Sequence, residues 1–386
     1  MIMAINNEQN KLNVPHLRFP EFQGEWEKCK LGDIATLTKG SGISKDQRSA
    51  TGTPCILYGE LYTTYNSEVI DYVVSRTDIS DKNLVRSCAN DIIIPSSGET
   101  AIDISTARCV LSPDVLLGGD LNIIRLKDGD GRFFSYQLNG VRKHDIAKIA
   151  QGVSVVHLYG ESIKGLTVSF PSNKEQQKIS TLLSLIDERI ATQSKLIEKL
   201  ESLIKGISSR IFASIQGIEY RMGDIATITN GDSNVQDAIT ESKDGLYPFF
   251  DRSEDIKYLP TFLFDKEAII YPGEGAEFMP RYFKGKFALH QRCYAIFDFK
   301  EFISAQFLYF YLKTQNSYFV RNAVGSTVPS LRLDTFQKLK MVIPTMEIQQ
   351  SISLCLSSME QKCNIEKEIL QKLLKQKQYL LRQMFI

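Results

Sequence analysis

The chain repeats itself, and the repeat limits what it can fold into more than any other feature. LGDIATLTKG at residues 31–40 returns as MGDIATITNG at residues 222–231, with seven of ten positions identical at an offset of 191. Further on, residues 134–212 align without a gap on residues 307–385 at an offset of 173. That alignment sets Gly152 on Gly325, Val155 on Val328, Leu158 on Leu331 and Pro171 on Pro344. Within residues 171–212, ten of 42 positions equal their partners, including Gln176-Gln177 with Gln349-Gln350 and Ile179 with Ile352. The two offsets differ by 18 residues, which the first copy carries as an insertion. A chain of 386 residues built this way is expected to hold two similar globules, since a single core serves about 100–200 residues.

Each copy ends in a helix. From Ile179 the apolar positions run Leu183, Ile186, Ile190, Ile197, Leu200, Ile204, Ile207 and Ile211, an alternation of four and three broken at Gln193. The shifted series is Ile352, Leu356, Met359, Cys363, Leu370, Leu373, Leu380 and Met384, with Glu366 and Lys377 as its polar members. A period of 3.5 sustained over several heptads predicts a coiled-coil seam. Ser172 and Thr345, just after the prolines, can cap the two helices. If a globule's entry and exit are neighbours, the second helix runs back antiparallel to the first, and Phe385 should return to the start of the first globule, near residues 26–31. The repeated unit on an antiparallel pair implies a pseudo-twofold axis, as antiparallel DNA strands have. Gln193 and Glu366, equivalent at the offset of 173, are expected to form or flank a central polar layer.

The globules read as mixed α and β, so the expected fold class is α+β: two pseudo-repeated domains separated by two long helices in an antiparallel coiled coil. Strand-like runs lie at residues 91–95, 121–126, 166–170, 268–271 and 293–297, and helices at 133–149 and 304–320. The aromatics Phe307, Phe310, Tyr311, Tyr318 and Phe319 are spaced as a core face. The expected segments are a flexible start at 1–14, a first domain at 15–171, a central helix at 172–218, a second domain at 219–344 and a C-terminal helix at 345–386.

Composition excludes rather than identifies. With 43% hydrophobic and 24% charged residues the chain is globular, and no run approaches the roughly 18 apolar residues of a membrane span. A cytoplasmic location with no membrane association is expected. Net charge is +1, residues 15–171 carrying 17 basic and 19 acidic side chains and residues 219–344 carrying 15 and 16. Charge alone does not point to nucleic acid. The seven scattered cysteines, without a CxxC pair, read as reduced thiols. There is no GxxxxGK[ST], no Pro-Pro of an adenine methyltransferase motif, and none of the histidines His16, His144, His157 and His290 pairs with another at four-residue spacing. Asp265-Lys266-Glu267 lacks the upstream acid of a nuclease site. No catalytic residue, metal site or cofactor is expected.

VPHLRFPEFQGEWEKCKLGDIA at residues 14–35, GSTVPSLRLDTFQKLKMVIP at residues 325–344 and the Gln-Gln helix starts resemble the specificity subunit of type I restriction-modification enzymes, from about residue 14 to the end. The resemblance implies two target-recognition domains alternating with two long helices. It implies a non-catalytic reader of a bipartite double-stranded DNA target that recruits two methyltransferase subunits and restriction-translocase subunits. The second domain is shorter than the first, and the family has no fixed base-contact residues to carry over. A two-headed protein-binding adaptor and a stand-alone nuclease or methyltransferase remain as other readings.

Candidate DNA contacts are loop residues able to reach bases or phosphates, since Arg can pair with guanine and Asn or Gln with adenine. In the first domain these are Lys39, Ser41, Lys45, Arg48, Ser96, Ser97, Arg108, Ser154 and His157. In the second they are Asn230, Asn234, Arg252, Arg281, Tyr282, Gln291, Arg292, Ser326 and Thr327. The paired loops at 152–155 and 325–328, rich in Gly, Ser and Thr, are expected to bring backbone N–H groups to phosphates.

Overall fold

The computed structural model describes residues 3, 4, 13–80 and 83–386. Apart from Met3, Ala4, Asn13 and Val14, the segment expected to be flexible at 1–14 lies outside the described residues. The chain divides into unit 1, Met1–Ser194 with Ile369–Ile386, and unit 2, Lys195–Glu368. Each unit is a globule with a length of both long helices.

In unit 1 a five-stranded sheet runs in the order Ala35–Lys39, Leu121–Leu126, Asp91–Pro95, Arg108–Val110, Val69–Ile70. Asp91–Pro95 is buried along its whole length and pairs antiparallel with its neighbour, Ile93 opposite Ile123. This is the sign of a central strand, and the isoleucines fill cores on both faces. In unit 2 a six-stranded sheet runs Thr227–Asn230, Cys293–Phe297, Phe264–Pro272, Arg281–Leu289, Tyr247–Phe250, Lys257–Leu259. Its first three strands repeat the first three of unit 1. Phe307, Phe310 and Phe319 are buried and Tyr311 and Tyr318 half-buried, as a core face requires.

Entry and exit of each globule are neighbours. Glu27–Lys30 pairs antiparallel with Thr167–Phe170, Cys29 opposite Val168, and Ile218–Arg221 with Lys340–Ile343, Tyr220 opposite Met341. The long helices Asn173–Ser214 and Met346–Gln383 therefore leave where the chain entered. Unit 1 holds the start of the first helix beside the end of the second, and unit 2 the reverse, so the two run in opposite senses. None of the seam positions is exposed. In unit 1 the ring of Phe385 lies 5.1 Å from Phe133, itself 5.6 Å from Trp26, so the C-terminus does return to the start of the first domain. In unit 2 Glu366 is buried and takes an ion pair from Lys362 at 2.5 Å, one turn away.

Buried glutamines seat the globules on the helices. Gln176 accepts from the N–H of Asp130 at 2.9 Å and donates to the carbonyl of Pro171 at 2.8 Å. Gln349 accepts from the N–H of Ser304 at 2.8 Å and donates to the carbonyls of Phe302 at 2.8 Å and Pro344 at 2.9 Å. Asp130 and Ser304 are the N-caps of Gly131–Asn139 and Ala305–Lys313, the helices that cover the two sheets. In unit 1 Arg18 adds a buried bidentate pair with Glu175, both contacts 2.8 Å.

The structure corrects two expected helices. Residues 133–149 form Gly131–Asn139 and Lys143–Ile149, broken at Gly140, where a side chain would stand 3.0 Å from the carbonyl of Tyr136. Residues 304–320 form Ala305–Lys313 and Asn316–Asn322, because Thr314 turns its N–H and hydroxyl back to the carbonyl of Tyr311.

Candidate nucleic-acid interface

The repeated GDIAT segment ends in a glycine for a steric reason. A Cβ on Gly40 would lie 2.0 Å from the carbonyl oxygen of Gly118, and one on Gly231 1.9 Å from that of Leu289. Beyond each glycine the chain enters a short 3₁₀ turn, Lys45–Gln47 in one domain and Val235–Asp237 in the other. Both turns border a cavity at the same place in the fold. In the first domain Cys55 and Ile56 pair in parallel with Leu116 and Leu117, and in the second Phe249 and Phe250 pair in parallel with Ala288 and Leu289. The residues after those strands line the cavities.

The first cavity, about 1160 Å³, is lined by Lys45, Arg48, Tyr58, Tyr62, Thr63 and Asp120, with Ile43 and Leu57 among its apolar members. Arg48 approaches Glu60 at 3.5 Å, and the Glu60 carboxylate also accepts the N–H of Leu57 at 2.8 Å. Ser41 holds the loop from behind, its hydroxyl accepting the N–H of Val85 at 2.7 Å. Ser96 donates its N–H to Asp120 at 2.8 Å, and Ser97 pairs with His157 in a two-stranded ribbon. The structure thus brings Lys45 and Arg48 to this cavity, whereas Ser96, Ser97 and His157 are not among its lining residues. Lys39 is exposed at the end of its strand.

The second cavity, about 580 Å³, is lined by Asp251, Arg252, Lys257, Glu274, His290 and Arg292. Arg292 is exposed and holds Glu274 through one nitrogen at 2.8 and 3.0 Å. Gln291 donates to Asn234 at 3.0 Å, and Asn230 donates to the carbonyl of Gln291 at 3.3 Å. Burial pushes the Asp251 carboxyl up, but Lys257, 2.6 Å away, and the Ser253 hydroxyl and N–H leave it below its ordinary value. Burial lowers the pKa of the His290 imidazole from its ordinary value of 6.5.

The loops at 152–155 and 325–328 match closely. Gly152 and Gly325 have φ of 122° and 102°, left-handed conformations that favour glycine. Each loop is closed by two backbone hydrogen bonds, between Gln151 and His157 at 2.9 and 2.7 Å and between Val324 and Ser330 at 2.8 Å both ways. Ser154, Ser326 and Thr327 are exposed, and Val153 is 97% exposed.

Three candidates lie elsewhere. Arg108 is buried, with its guanidinium on the carbonyls of Tyr65 at 2.8 Å and Ala107 at 3.2 Å, so it braces the core and is withdrawn as a DNA contact. Arg281 occupies the equivalent strand position, opposite Ile270 as Arg108 is opposite Ile93, and donates to the carbonyl of Ser253. Tyr282 points away from the second cavity, donating to Glu267 and packing 6.0 Å from the ring of Tyr309. The sequence reading missed Tyr58, Tyr62 and Lys257 and weighed His290 as a metal ligand alone. Their shared signal is position: each follows or faces the end of a strand of the parallel pair. Among the described residues no three His, Cys, Asp or Glu are grouped to hold a metal ion, and no helix is long and apolar enough to cross a membrane.

The family described as type I restriction modification DNA specificity domain matches residues 23–202 and again residues 218–375. The EcoDI specificity subunit of a type I restriction enzyme from Escherichia coli is 27% identical over 136 residues, which are 35% of this chain and 30% of that protein. The MjaVIII specificity subunit from Methanocaldococcus jannaschii is 24% identical over 219 residues, 55% of this chain and 47% of that protein. The matches thus span less than half the length of these two relatives. A crystal structure of the type I restriction-modification S subunit from M. genitalium superposes with a TM-score of 0.69 at 19% identity, covering 97% of this chain and 99% of that one. A chain from a structure of type I complex assembly and conformational transition gives 0.56 at 13% identity, covering 92% and 96%. These likenesses fix the fold, and the double family match, which takes in most of the sequence, places the chain in the type I restriction modification DNA specificity domain family.

Proposed function

We propose that the chain is the non-catalytic DNA-reading subunit of a type I restriction-modification enzyme, acting in the cytoplasm without a membrane or cofactor. Residues 15–171 and 219–344 each read one half of a bipartite double-stranded target. The helices at 172–218 and 345–386 space the two readers and recruit two methyltransferase subunits, through which restriction-translocase subunits join. The observation that carries this reading is the pair of cavities at one place in the fold with unlike linings. Tyr58, Tyr62, Lys45 and Arg48 in one domain, against Arg252, Lys257, His290 and Arg292 in the other, suit one scaffold reading two different sequences. The loops at 152–155 and 325–328 set register on phosphates. Leu185, Leu196 and Leu203 on the first helix and Leu354, Ile365 and Tyr379 on the second are exposed apolar side chains outside the seam, suited to partner helices.

Replacing residues 15–171 by the matching domain of a related subunit and sequencing the sites methylated by the assembled enzyme tests this. One half of the target should change while the other half persists. Retention of both halves would overturn the reading. With a net charge of +1, the chain alone is expected to bind DNA weakly, and salt-dependent tight binding should emerge in a gel shift with the methyltransferase subunits.

A further inference from the structure

The 173-residue offset sets Tyr136 on Tyr309, Ser184 on Ser357, Asp187 on Glu360 and Cys109 on Tyr282. In unit 1 the first of each pair surrounds an extended segment of the same unit. Val69–Ile70 adds in parallel to Cys109 and Val110. The carbonyl of Glu68 accepts the N–H of Cys109 at 2.8 Å and the hydroxyl of Ser135 at 2.9 Å, while Ser67 donates its hydroxyl to Asp187 at 3.0 Å. This segment belongs to the insertion. Ile56 and Asp91 are 35 positions apart, whereas their counterparts Phe250 and Ala268 are 18 apart.

Unit 2 lacks the segment but keeps the place for it. Arg281–Leu289 pairs with Phe264–Pro272 along one side and with Tyr247–Phe250 on the other side at Ala288 and Leu289 alone. Among the described residues no strand covers the second edge of residues 282–286. Beside Tyr282 lies a cavity of about 490 Å³ lined by Gln306, Tyr309, Phe310, Ser357, Glu360 and Glu368.

We propose that this groove receives an extended segment of a partner protein, added in parallel to the edge at Tyr282 and carrying a lysine or arginine where Ser67 stands in unit 1. Backbone pairing at an edge strand supplies affinity and side-chain pockets supply selectivity. The charge follows from the wall. Ser67 offers a hydroxyl to one carboxylate, Asp187, whereas the groove is lined by Glu360, which Lys313 pairs with, and by the further carboxylate of Glu368, and no basic residue lines it. Lys313 pairs with Glu360 and stands 5.3 Å from the ring of Tyr309 from the side of the neighbouring cavity, so Glu368 is the carboxylate that would meet the incoming cation. Lys284 and Lys286, both exposed on the same edge, would meet each other across a pairing with a second copy, so the occupant is a different protein. Unit 1 fills its own place, so each chain takes one such segment. The inference is independent of how the chain reads DNA.

Two capped peptides copying residues 65–71 test it on the full-length chain, one with Ser67→Lys and Glu68→Gln, the other with Ser67→Glu and Glu68→Gln. Fluorescence anisotropy should show one site per chain and at least tenfold tighter binding of the lysine peptide. Glu368→Lys, an exposed change, should abolish that preference, and bound peptide should slow amide exchange at residues 282–286. Equal binding of the two peptides, no binding, protection elsewhere, or displacement of the peptide by a second copy of the chain would each overturn the proposal.

Discussion

In unit 1 the ammonium of Lys377 lies 2.6 Å from Asp187, also meets Glu68, and stands 5.8 Å from the ring centre of Tyr136. The Tyr136 hydroxyl donates to Asp187 at 2.8 Å. Burial works to lower the lysine pKa, but Glu68 and Asp187 outweigh it and the net shift is upward from 10.5. Removing the cation leaves two buried carboxylates together, so Lys377→Met is expected to cost about 3–5 kcal/mol in denaturant unfolding. Lys367→Met, which breaks an exposed pair with Glu201 at 2.6 Å, should cost at most about 1 kcal/mol. Because the folded-state pKa is raised, the Lys377 contribution is complete below the unfolded value of 10.5 and is lost as pH rises through the folded value. The stability gap between the natural chain and Lys377→Met should therefore hold at neutral pH and narrow only above about pH 10.5. Spacing shows Lys377 as a polar break in an apolar seam. It cannot show the partner, since Glu68 lies 309 positions away and no periodicity connects them.

At the scale of elements, the long helices and the central strands were readable because burial imposes a period of 3.5 on the former and an unbroken apolar run on the latter. Helix breaks were not. Gly140 interrupts an otherwise periodic stretch, and a lone glycine inside a helical pattern leaves open whether the chain turns there. The Gln-Gln pairs were visible as repetition, but not which member matters: Gln176 and Gln349 are buried whereas Gln177 and Gln350 are exposed. Gln349→Leu strands the N–H of Ser304 and the carbonyl of Phe302, and should destabilise by about 2–3 kcal/mol in denaturant unfolding. Gln350→Leu should stay within about 0.5 kcal/mol of the natural chain. Equal costs for the two would mean that Gln349 does not hold the joint. The site was half legible. Loops rich in Arg, Lys and Ser could be picked out, but Arg108 carries the same composition into the core, half-buried Arg281 turns to the carbonyl of Ser253, and Tyr58 and Tyr62 reach a cavity for which no local motif exists.

At the scale of the whole molecule, the proposed function makes target spacing a property of helix length, because it sets two readers on paired helices. Seven residues inserted after Ser194, matched by seven after Lys367 to keep the seam in phase, lengthen the spacer by about 10 Å. At about 3.4 Å per base pair, the gap between methylated half-sites should grow by roughly three. Sequencing of methylated DNA that returned the original gap would show that the helices do not set it. The glutamine joints carry a different consequence. Gln176 grips an N–H and a carbonyl, and Gln349 grips an N–H and two carbonyls, all of them main-chain atoms. A socket that recognises only the peptide backbone is blind to the side chains of whatever is plugged into it. Genetic recombination could thus exchange one globule for a divergent one with these glutamine contacts unchanged, provided that in unit 1 the side chains meeting Glu175 and Asp187, Arg18 and Tyr136, are kept as well.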